Sequence, residues 1–224
     1  CGSTNPDFLK EEILEGSYDL GIAFDGDGDR ILVVNSEGEI LDGDDILYIL
    51  SNHLKADTGV VGTLMTNKAL EIYFEKNNIS FLRADVGDKY VLQTLLEESW
   101  VLGGEPSGHI ICLDSAPTGD AIIAALNLMN VIKDNNFSLK KSLEGFQKFP
   151  QTLINLNVNN PNKIIISDKF WSEVTRIEKQ LGQNGRVLIR PSGTEPLIRI
   201  MVESDKTGAS HDFCNALADL AQTI

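Results

Sequence analysis

The order of short apolar segments and amphipathic segments between residues 59 and 134 limits the fold of this chain more than any other feature. Apolar strand-like segments occupy 59–64, 81–85, 101–104 and 110–113, and segments with helical spacing occupy 67–77, 89–98 and 120–134. Strand–helix alternation of this kind is typical of an α/β layer in which helices cover a mixed sheet.

The start of the chain has a different pattern. An expected helix follows Ser3-Thr4-Asn5-Pro6, which we interpret as its cap, and expected strands lie at 20–24 and 31–34. One helix and two strands cannot bury a core alone, so we expect residues 1–41 to be the end of a domain that begins upstream. The next expected helix, 46–54, is capped by Asp42-Gly43-Asp44-Asp45.

The pattern changes again near Phe149-Pro150. The elements expected after this point are a helix at 168–181, strands at 186–189 and 197–203, and a helix at 209–220. They predict a small α+β domain. We therefore expect three parts with the boundaries 1–41, 42–150 and 151–224.

The charge of the chain restricts its partners. Lys and Arg number 19 and Asp and Glu number 33 among 224 residues, so the formal net charge is −14. Such a surface repels nucleic acids and anionic membranes. An anionic substrate would therefore require a local pocket of arginines and backbone amides.

The three cysteines, Cys1, Cys112 and Cys214, are too few and too scattered for a disulfide framework or a zinc site. We expect them to be buried or incidental thiols in a reducing compartment. The chain has no apolar run of about 18 residues and no signal-peptide pattern at its start. These observations predict a cytoplasmic protein.

An acidic loop, Asp25-Gly26-Asp27-Gly28-Asp29-Arg30, directly follows an apolar strand. Three carboxylates within five residues repel one another unless a cation lies among them. The glycines allow a sharp turn, and hard oxygen ligands suit Mg²⁺. Asp25, Asp27 and Asp29 are therefore the candidate metal ligands.

Two other classes of metal loop compete with this interpretation. An EF-hand would need Gly at the sixth position and Glu at the twelfth, where this chain has Arg30 and Ser36. A phosphatase of the haloacid dehalogenase type also carries Asp-x-Asp after an apolar strand, with the first Asp as nucleophile. It usually has Thr or Val where this chain has Asp29, but it stays open as an alternative.

A second loop, Gly103-Gly104-Glu105-Pro106-Ser107-Gly108-His109, lies between two expected strands. Glu105 and Ser107 can bind neighbouring hydroxyl or amino groups of a sugar. His109 can donate to a phosphate or transfer a proton near neutral pH.

A third loop, Arg190-Pro191-Ser192-Gly193-Thr194-Glu195-Pro196, joins two expected strands. Backbone amides around Gly193 and the hydroxyls of Ser192 and Thr194 can form an anion nest. Arg190 and Arg199 add charge-assisted contacts, so this loop is the expected phosphate site.

The three loops together resemble the α-D-phosphohexomutase superfamily, in its order and over essentially the whole chain. Asp25–Arg30 is similar to the metal loop, Glu105–His109 to the sugar-recognition loop and Arg190–Pro196 to the C-terminal phosphate loop. Within the superfamily, the phosphoglucosamine mutases are most similar. Their features are Cys1-Gly2-Ser3-Thr4-Asn5-Pro6, Val86-Gly87-Asp88-Lys89-Tyr90-Val91 and Gly103-Gly104-Glu105.

The resemblance implies a fold of four domains. Residues 1–41 would end the second domain, 42–150 would form the third, a mixed-sheet α/β domain, and 151–224 would form the small α+β fourth domain. It also implies Mg²⁺ as cofactor and a homodimer as a candidate state of the full-length enzyme.

The resemblance further implies interconversion of glucosamine 6-phosphate and glucosamine 1-phosphate through a phosphoserine and a bisphosphate intermediate. Arg30 and His109 would support catalysis. The substrate would contact Glu105, Ser107, His109, Arg190, Ser192, Gly193, Thr194 and Arg199. The serine loop of the family, which resembles Thr-Ala-Ser-His-Asn-Pro, has no match here, so we expect this chain alone to be inactive.

Several alternatives stay open at this point. Phosphomannomutases and phosphoglucomutases act on sugars that differ from glucosamine phosphate by one substituent. A dehalogenase-type phosphatase would release free phosphate, and a non-catalytic module would only bind a phosphosugar.

Overall fold

The computed structural model describes residues 2–52, 58–133, 136, 138–192 and 195–224. The chain divides into two compact units, residues 1–147 and residues 148–224. Separate hydrophobic clusters lie within each unit.

The first unit contains six helices and seven strands among its described residues. In chain order they are α1 Asp7–Glu15, β1 Leu20–Phe24, β2 Ile31–Asn35, β3 Ile40–Leu41, α2 Gly43–Ser51, β4 Val60–Thr63, α3 Lys68–Lys76, β5 Phe81–Ala84, α4 Asp88–Glu98, β6 Leu102–Gly104, β7 Ile110–Cys112, α5 Ala121–Ile132 and α6 Leu139–Ser142.

These strands form two sheets. Strands β1, β2 and β3 pair antiparallel in that order. The other sheet has the order β5-β4-β6-β7, with β4 parallel to β5 and β6, and β7 antiparallel to β6. The expected mixed α/β sheet is therefore confirmed. The loops that follow β4, β5 and β6 leave the same edge of this sheet.

Helix α2 connects the two sheets of the first unit. Its start is set by Asp42, whose side chain accepts from the backbone N–H groups of Asp44 and Asp45, while Asp45 accepts from the Asp42 N–H. This reciprocal capping confirms the predicted cap, although the helix begins at Gly43 and not at Ile46. The predicted end at Leu54 lies outside the described residues.

The cap predicted for α1 is wrong. Pro6 is the N-cap residue, and no side chain caps the helix. The Ser3 N–H instead donates to the Phe24 carbonyl oxygen at 3.0 Å, and the Asn5 N–H donates to the Gly2 carbonyl oxygen at 3.1 Å. These bonds hold the residues before Pro6 in a turn at the end of β1, and none of their side chains caps the helix.

The second unit is a small α+β structure, as predicted. Its elements are β8 Gln151–Asn157, α7 Pro161–Ile165, α8 Asp168–Leu181, β9 Gly185–Pro191, β10 Leu197–Ser204 and α9 Ala209–Gln222. The strands form an antiparallel sheet in the order β8-β10-β9. Phe170 from α8 and Leu217 from α9 pack with Ile198 and Ile200 in its core.

The short helix α7 was missed because the sequence around Asn159 and Asn160 is polar. Pro161 at the first helical position, directly after Asn160, is the signal that could have predicted it. Among the described residues, every helix is too short or too polar to span a bilayer.

Candidate functional site

The acidic loop connects the antiparallel strands β1 and β2. Phe24 pairs with Ile31, so the hairpin fixes both ends of the segment from Asp25 to Arg30. Asp25 Oδ1 accepts from the backbone N–H groups of Gly28, Asp29 and Arg30 at 3.2, 3.2 and 3.1 Å. This carboxylate therefore organises the loop from inside.

The three aspartates converge as predicted. One carboxylate oxygen from each of Asp25, Asp27 and Asp29 lies within 4.8 Å of the other two. Asp29 Oδ1 is buried and accepts no hydrogen bond from the described residues. The Arg30 Nε atom, at 3.8 Å from both Asp25 Oδ2 and Asp29 Oδ1, is too distant for a hydrogen bond.

The carboxyl groups of Asp25 and Asp29 differ in acidity. Burial acts to raise the pKa of Asp25, but hydrogen bonds from the Arg30 and Asp29 backbone outweigh it, so the pKa lies below the usual value. Burial raises the pKa of Asp29, and the neighbouring Asp25 carboxylate raises it further. A positive charge beside Asp29 would favour its carboxylate form, and a divalent cation would provide that charge.

The Glu105–His109 loop lies directly beside the acidic loop. The Ile31 N–H donates to the Gly108 carbonyl oxygen at 3.0 Å, and Arg30 and His109 form an antiparallel bridge. His109 is 4% exposed, and its Nδ1 atom lies 3.1 Å from Asp29 Oδ2. The structure thus brings the predicted histidine to the predicted metal loop.

Glu105 is oriented by a hydrogen bond from the main chain. It is buried, and its Oε1 atom accepts from the Gly87 N–H at 3.0 Å. Ser107 is exposed, two residues further along the same loop. The Gly43 N–H donates to the Pro106 carbonyl oxygen at 3.2 Å, which joins the loop to the start of α2.

Two supporting glycines were missed by the sequence interpretation. A Cβ atom on Gly119 would lie 2.1 Å from His109 Nε2, so only glycine leaves room for the imidazole. Gly87, in the loop that follows β5, supplies the amide that holds Glu105. The position of Gly87 within Val86–Val91 was visible in the sequence, but its contact with a residue 18 positions away was not.

The second unit carries the predicted arginines. Arg190 in β9 and Arg199 in β10 are directly paired across the antiparallel ladder, so their side chains share one face of the sheet. Arg199 Nε is buried and has no hydrogen-bond acceptor among the described residues. Ser192 Oγ accepts from the Glu195 N–H at 3.2 Å. Gly193 and Thr194 lie outside the described residues.

The predicted site residues therefore form two groups. The aspartates, Arg30 and the Glu105–His109 loop are together in the first unit, and Arg190, Ser192 and Arg199 are together in the second. The buried thiols Cys112 and Cys214 contribute to neither group. Burial raises the pKa of Cys214 to about 11, so it is an unreactive core residue.

Comparison with known proteins gives two family matches and close relatives. Residues 42–149 match phosphoglucomutase/phosphomannomutase α/β/α domain III, and residues 153–220 match the C-terminal domain of the same family. A phosphoglucosamine mutase of Acinetobacter baumannii is 49% identical over 99% of this chain and 51% of its own length. A phosphoglucosamine mutase of Legionella pneumophila is 47% identical over 98% of this chain and 49% of its own length.

A solved structure has a similar fold. It is an Aspergillus fumigatus N-acetylphosphoglucosamine mutase in complex with GlcNAc-6P and magnesium, with a TM-score of 0.77 and 20% identity over 98% of this chain and 56% of that one. The present chain spans about half the length of the curated relatives that it matches. Because two domain models of one family match most of its residues, and phosphoglucosamine mutases match nearly all of them, the chain belongs to the phosphoglucomutase/phosphomannomutase family of phosphohexomutases.

Proposed function

We propose that this chain supplies the metal-binding, sugar-binding and phosphate-binding parts of a phosphoglucosamine mutase, which interconverts glucosamine 6-phosphate and glucosamine 1-phosphate. The convergence of Asp25, Asp27 and Asp29 beside the Glu105–His109 loop is the observation that carries the proposal. The identity of about half of all positions to phosphoglucosamine mutases supports glucosamine phosphate as the substrate.

The acidic loop would bind Mg²⁺. The fit rests on three hard carboxylate ligands within 4.8 Å and on the buried Asp29 Oδ1 that accepts no hydrogen bond from the described residues. When bound there, Mg²⁺ supplies positive charge next to the phosphoryl group that is transferred. Arg30, which is half exposed beside the same carboxylates, would help to orient that group.

The remaining residues would position the sugar. Glu105 and Ser107 would bind sugar hydroxyl or amino groups, and His109 would donate to or receive a proton from the substrate. Arg190, Ser192, Gly193, Thr194 and Arg199 would hold the phosphate that is not reacting. Holding the remote phosphate lowers the barrier by fixing the orientation of the reacting end.

The proposal also covers the full-length enzyme of which this chain would be a part. Residues 1–41 would complete a domain that precedes them, 42–150 and 151–224 would be the third and fourth domains, and the phosphoserine would come from the first. We propose a bisphosphate intermediate, a homodimer and a cytoplasmic location for that enzyme. The buried free thiols Cys112 and Cys214 support a reducing compartment.

The phosphatase alternative is less well supported. In that mechanism Asp25 would be the nucleophile, but its Oδ1 atom accepts three backbone hydrogen bonds. Hydrogen bonding of this kind stabilises the carboxylate and makes it a weaker nucleophile. A pure binding module stays the second candidate for the 224 residues alone, because they contain no serine loop of the family type.

A chimera tests the proposal. The part of the Acinetobacter baumannii mutase that precedes the matched region is fused upstream of this chain, and conversion of three hexose 6-phosphates is measured with Mg²⁺ and a bisphosphate activator. We expect the highest kcat/KM for glucosamine 6-phosphate and no turnover by the 224-residue chain alone. The Asp27→Asn chimera serves as the inactive control.

The outcomes separate the alternatives. Faster conversion of mannose or glucose 6-phosphate would replace the substrate assignment. Release of inorganic phosphate by the unfused chain would favour the phosphatase. Substantial mutase turnover by the unfused chain would contradict the division of the active site that we propose.

A further inference from the structure

Strands β8, β10 and β9 place three polar residues in one row across the sheet of the second unit. Arg199 is paired directly with Asn155 on one side and with Arg190 on the other. Ile198 and Ile200, the neighbours of Arg199 in β10, are fully buried in the core with the helices. Because side chains alternate along a strand, the row Asn155–Arg199–Arg190 lies on the opposite face.

A nearby pair on the same face shows an arginine whose charge is compensated by a carboxylate on the neighbouring strand. Arg186 is directly opposite Glu203, and its Nε atom donates to Glu203 Oε2 at 2.7 Å. Arg190 and Arg199 have the same relation in the ladder, but both are cations. Like charges directly opposite each other destabilise a sheet.

No carboxylate within the described ranges compensates this second pair. Neither Arg190 nor Arg199 forms an ion pair with a described acidic residue, and the buried Arg199 Nε has no acceptor there. An anion between or above the two opposed guanidinium groups would offset their repulsion and accept from Arg199 Nε. An anion placed over Arg199 also lies over the neighbouring positions in the row.

We propose that Asn155 is a further phosphate-binding residue, which donates from its side-chain Nδ2 to the phosphate group held by Arg190 and Arg199. The inference rests on the proposed function, since it takes a phosphosugar as the anion. Asn155 is exposed, and its side chain makes no hydrogen bond within the described part of the chain, so the amide is free to bind a ligand. Its Cβ lies about 5 Å from that of Arg199, as for any directly opposed pair.

The amide group suits this position. It donates a hydrogen bond without adding a third positive charge to the row, and its oxygen can accept from Arg199 at the same time. Gln151 carries the same functional group on the same face of β8, opposite Glu203. It lies four residues away, about 13 Å along the strand, and so cannot reach the same anion.

The test compares matched variants of the 224-residue chain by isothermal titration calorimetry and NMR titration with glucosamine 6-phosphate and with inorganic phosphate. We expect Asn155→Ala to weaken the binding of both ligands about five- to tenfold, which is within the range for one typical hydrogen bond. Asn155→Asp should weaken it further because it places a negative charge beside the phosphate. Gln151→Ala should stay within about twofold of the wild type.

Arg199→Ala separates the two possible failures. If it weakens binding while Asn155→Ala and Asn155→Asp both stay within about twofold of the wild type, the role of Asn155 is overturned and the proposed function stands. If the wild type binds neither ligand, or Arg199→Ala binds as well as the wild type, both are overturned. A loss confined to glucosamine 6-phosphate would place Asn155 on the sugar and overturn the assignment to phosphate. Far-UV circular dichroism of each variant checks that it is folded.

Discussion

Asp25 and Asp27 belong to the same acidic loop but depend on it in different ways. Asp25 Oδ1 accepts three backbone hydrogen bonds and so helps to form the loop. Asp27 is exposed and makes no hydrogen bond with the described residues. Its only evident contribution is charge and a ligand oxygen near those of Asp25 and Asp29.

This difference gives a prediction at the level of single residues. Asp27→Asn should weaken Mn²⁺ binding at least about tenfold, with Mn²⁺ as a spectroscopic substitute for Mg²⁺, and leave the Tm of the metal-free protein unchanged or slightly raised. Asp25→Ala should weaken Mn²⁺ binding and also lower that Tm, because three backbone N–H groups lose their acceptor.

Electron paramagnetic resonance titration and differential scanning calorimetry give the two measurements. Equal effects of both variants on the metal-free Tm would contradict the separate roles. Unchanged Mn²⁺ affinity in Asp27→Asn would remove this residue from the set of ligands.

At the scale of elements, the start of α2 is pressed against the Glu105–His109 loop. A Cβ atom on Gly43 would lie 1.8 Å from the Glu105 carbonyl oxygen and 3.1 Å from the Gly108 nitrogen. Helix propensity favours alanine over glycine by up to about 1 kcal/mol. Overpacking against backbone atoms costs about 1–3 kcal/mol, so the steric effect should exceed the propensity.

We therefore expect Gly43→Ala to lower the Tm by about 2–8 °C and to weaken sugar binding, because the helix and the loop must separate. Gly26→Ala is the control for stability, since no atom lies within 4 Å of its added Cβ. Thermal unfolding followed by circular dichroism measures both variants. A higher Tm in Gly43→Ala would mean that the close contact is not maintained.

The sequence predicted most elements because their signals are local. Helix α8 has the predicted bounds of 168 and 181, and the acidic turn of Asp42–Asp45 predicted the cap of α2. The side-chain cap predicted for α1 is absent. The Ser3 N–H donates instead to the Phe24 carbonyl oxygen, and this long-range bond holds the start of the chain at the end of β1.

For the candidate site too, local features were predictable from the sequence and long-range contacts were not. The three candidate loops, Asp25–Arg30, Glu105–His109 and Arg190–Pro196, were recognisable by residue type and spacing. The contact between His109 and Asp29 joins residues 80 positions apart, and the pairing of Arg190 with Arg199 depends on strand register. Local patterns contain no information about which distant loops meet, so neither geometry was predictable.

At the scale of the whole molecule, the two compact units have separate cores. The core of the second unit consists of residues from 154 to 224 only, with Phe170, Val174 and Ile177 from α8, which packs against β9. A core contributed entirely by one segment can support independent folding, although a domain of this size is only marginally stable.

We expect a fragment of residues 148–224 to unfold cooperatively on heating and to have the circular dichroism of a mixed helix and strand structure. Arg190, Arg199 and Asn155 all lie within it, so it should also bind inorganic phosphate. Circular dichroism and one-dimensional proton NMR test the folding. A gradual, non-cooperative transition would show that the cluster alone does not maintain the unit.

The hydrogen bond between the Ile31 N–H and the Gly108 carbonyl oxygen has a consequence for protein engineering. A Cβ atom at Gly108 would lie 2.0 Å from the Ile31 carbonyl oxygen, so the two segments touch along their main chains. A Glu105–His109 loop transplanted from a relative must therefore keep this glycine and the length of the acidic hairpin. The two loops should be exchanged between family members together and not one at a time.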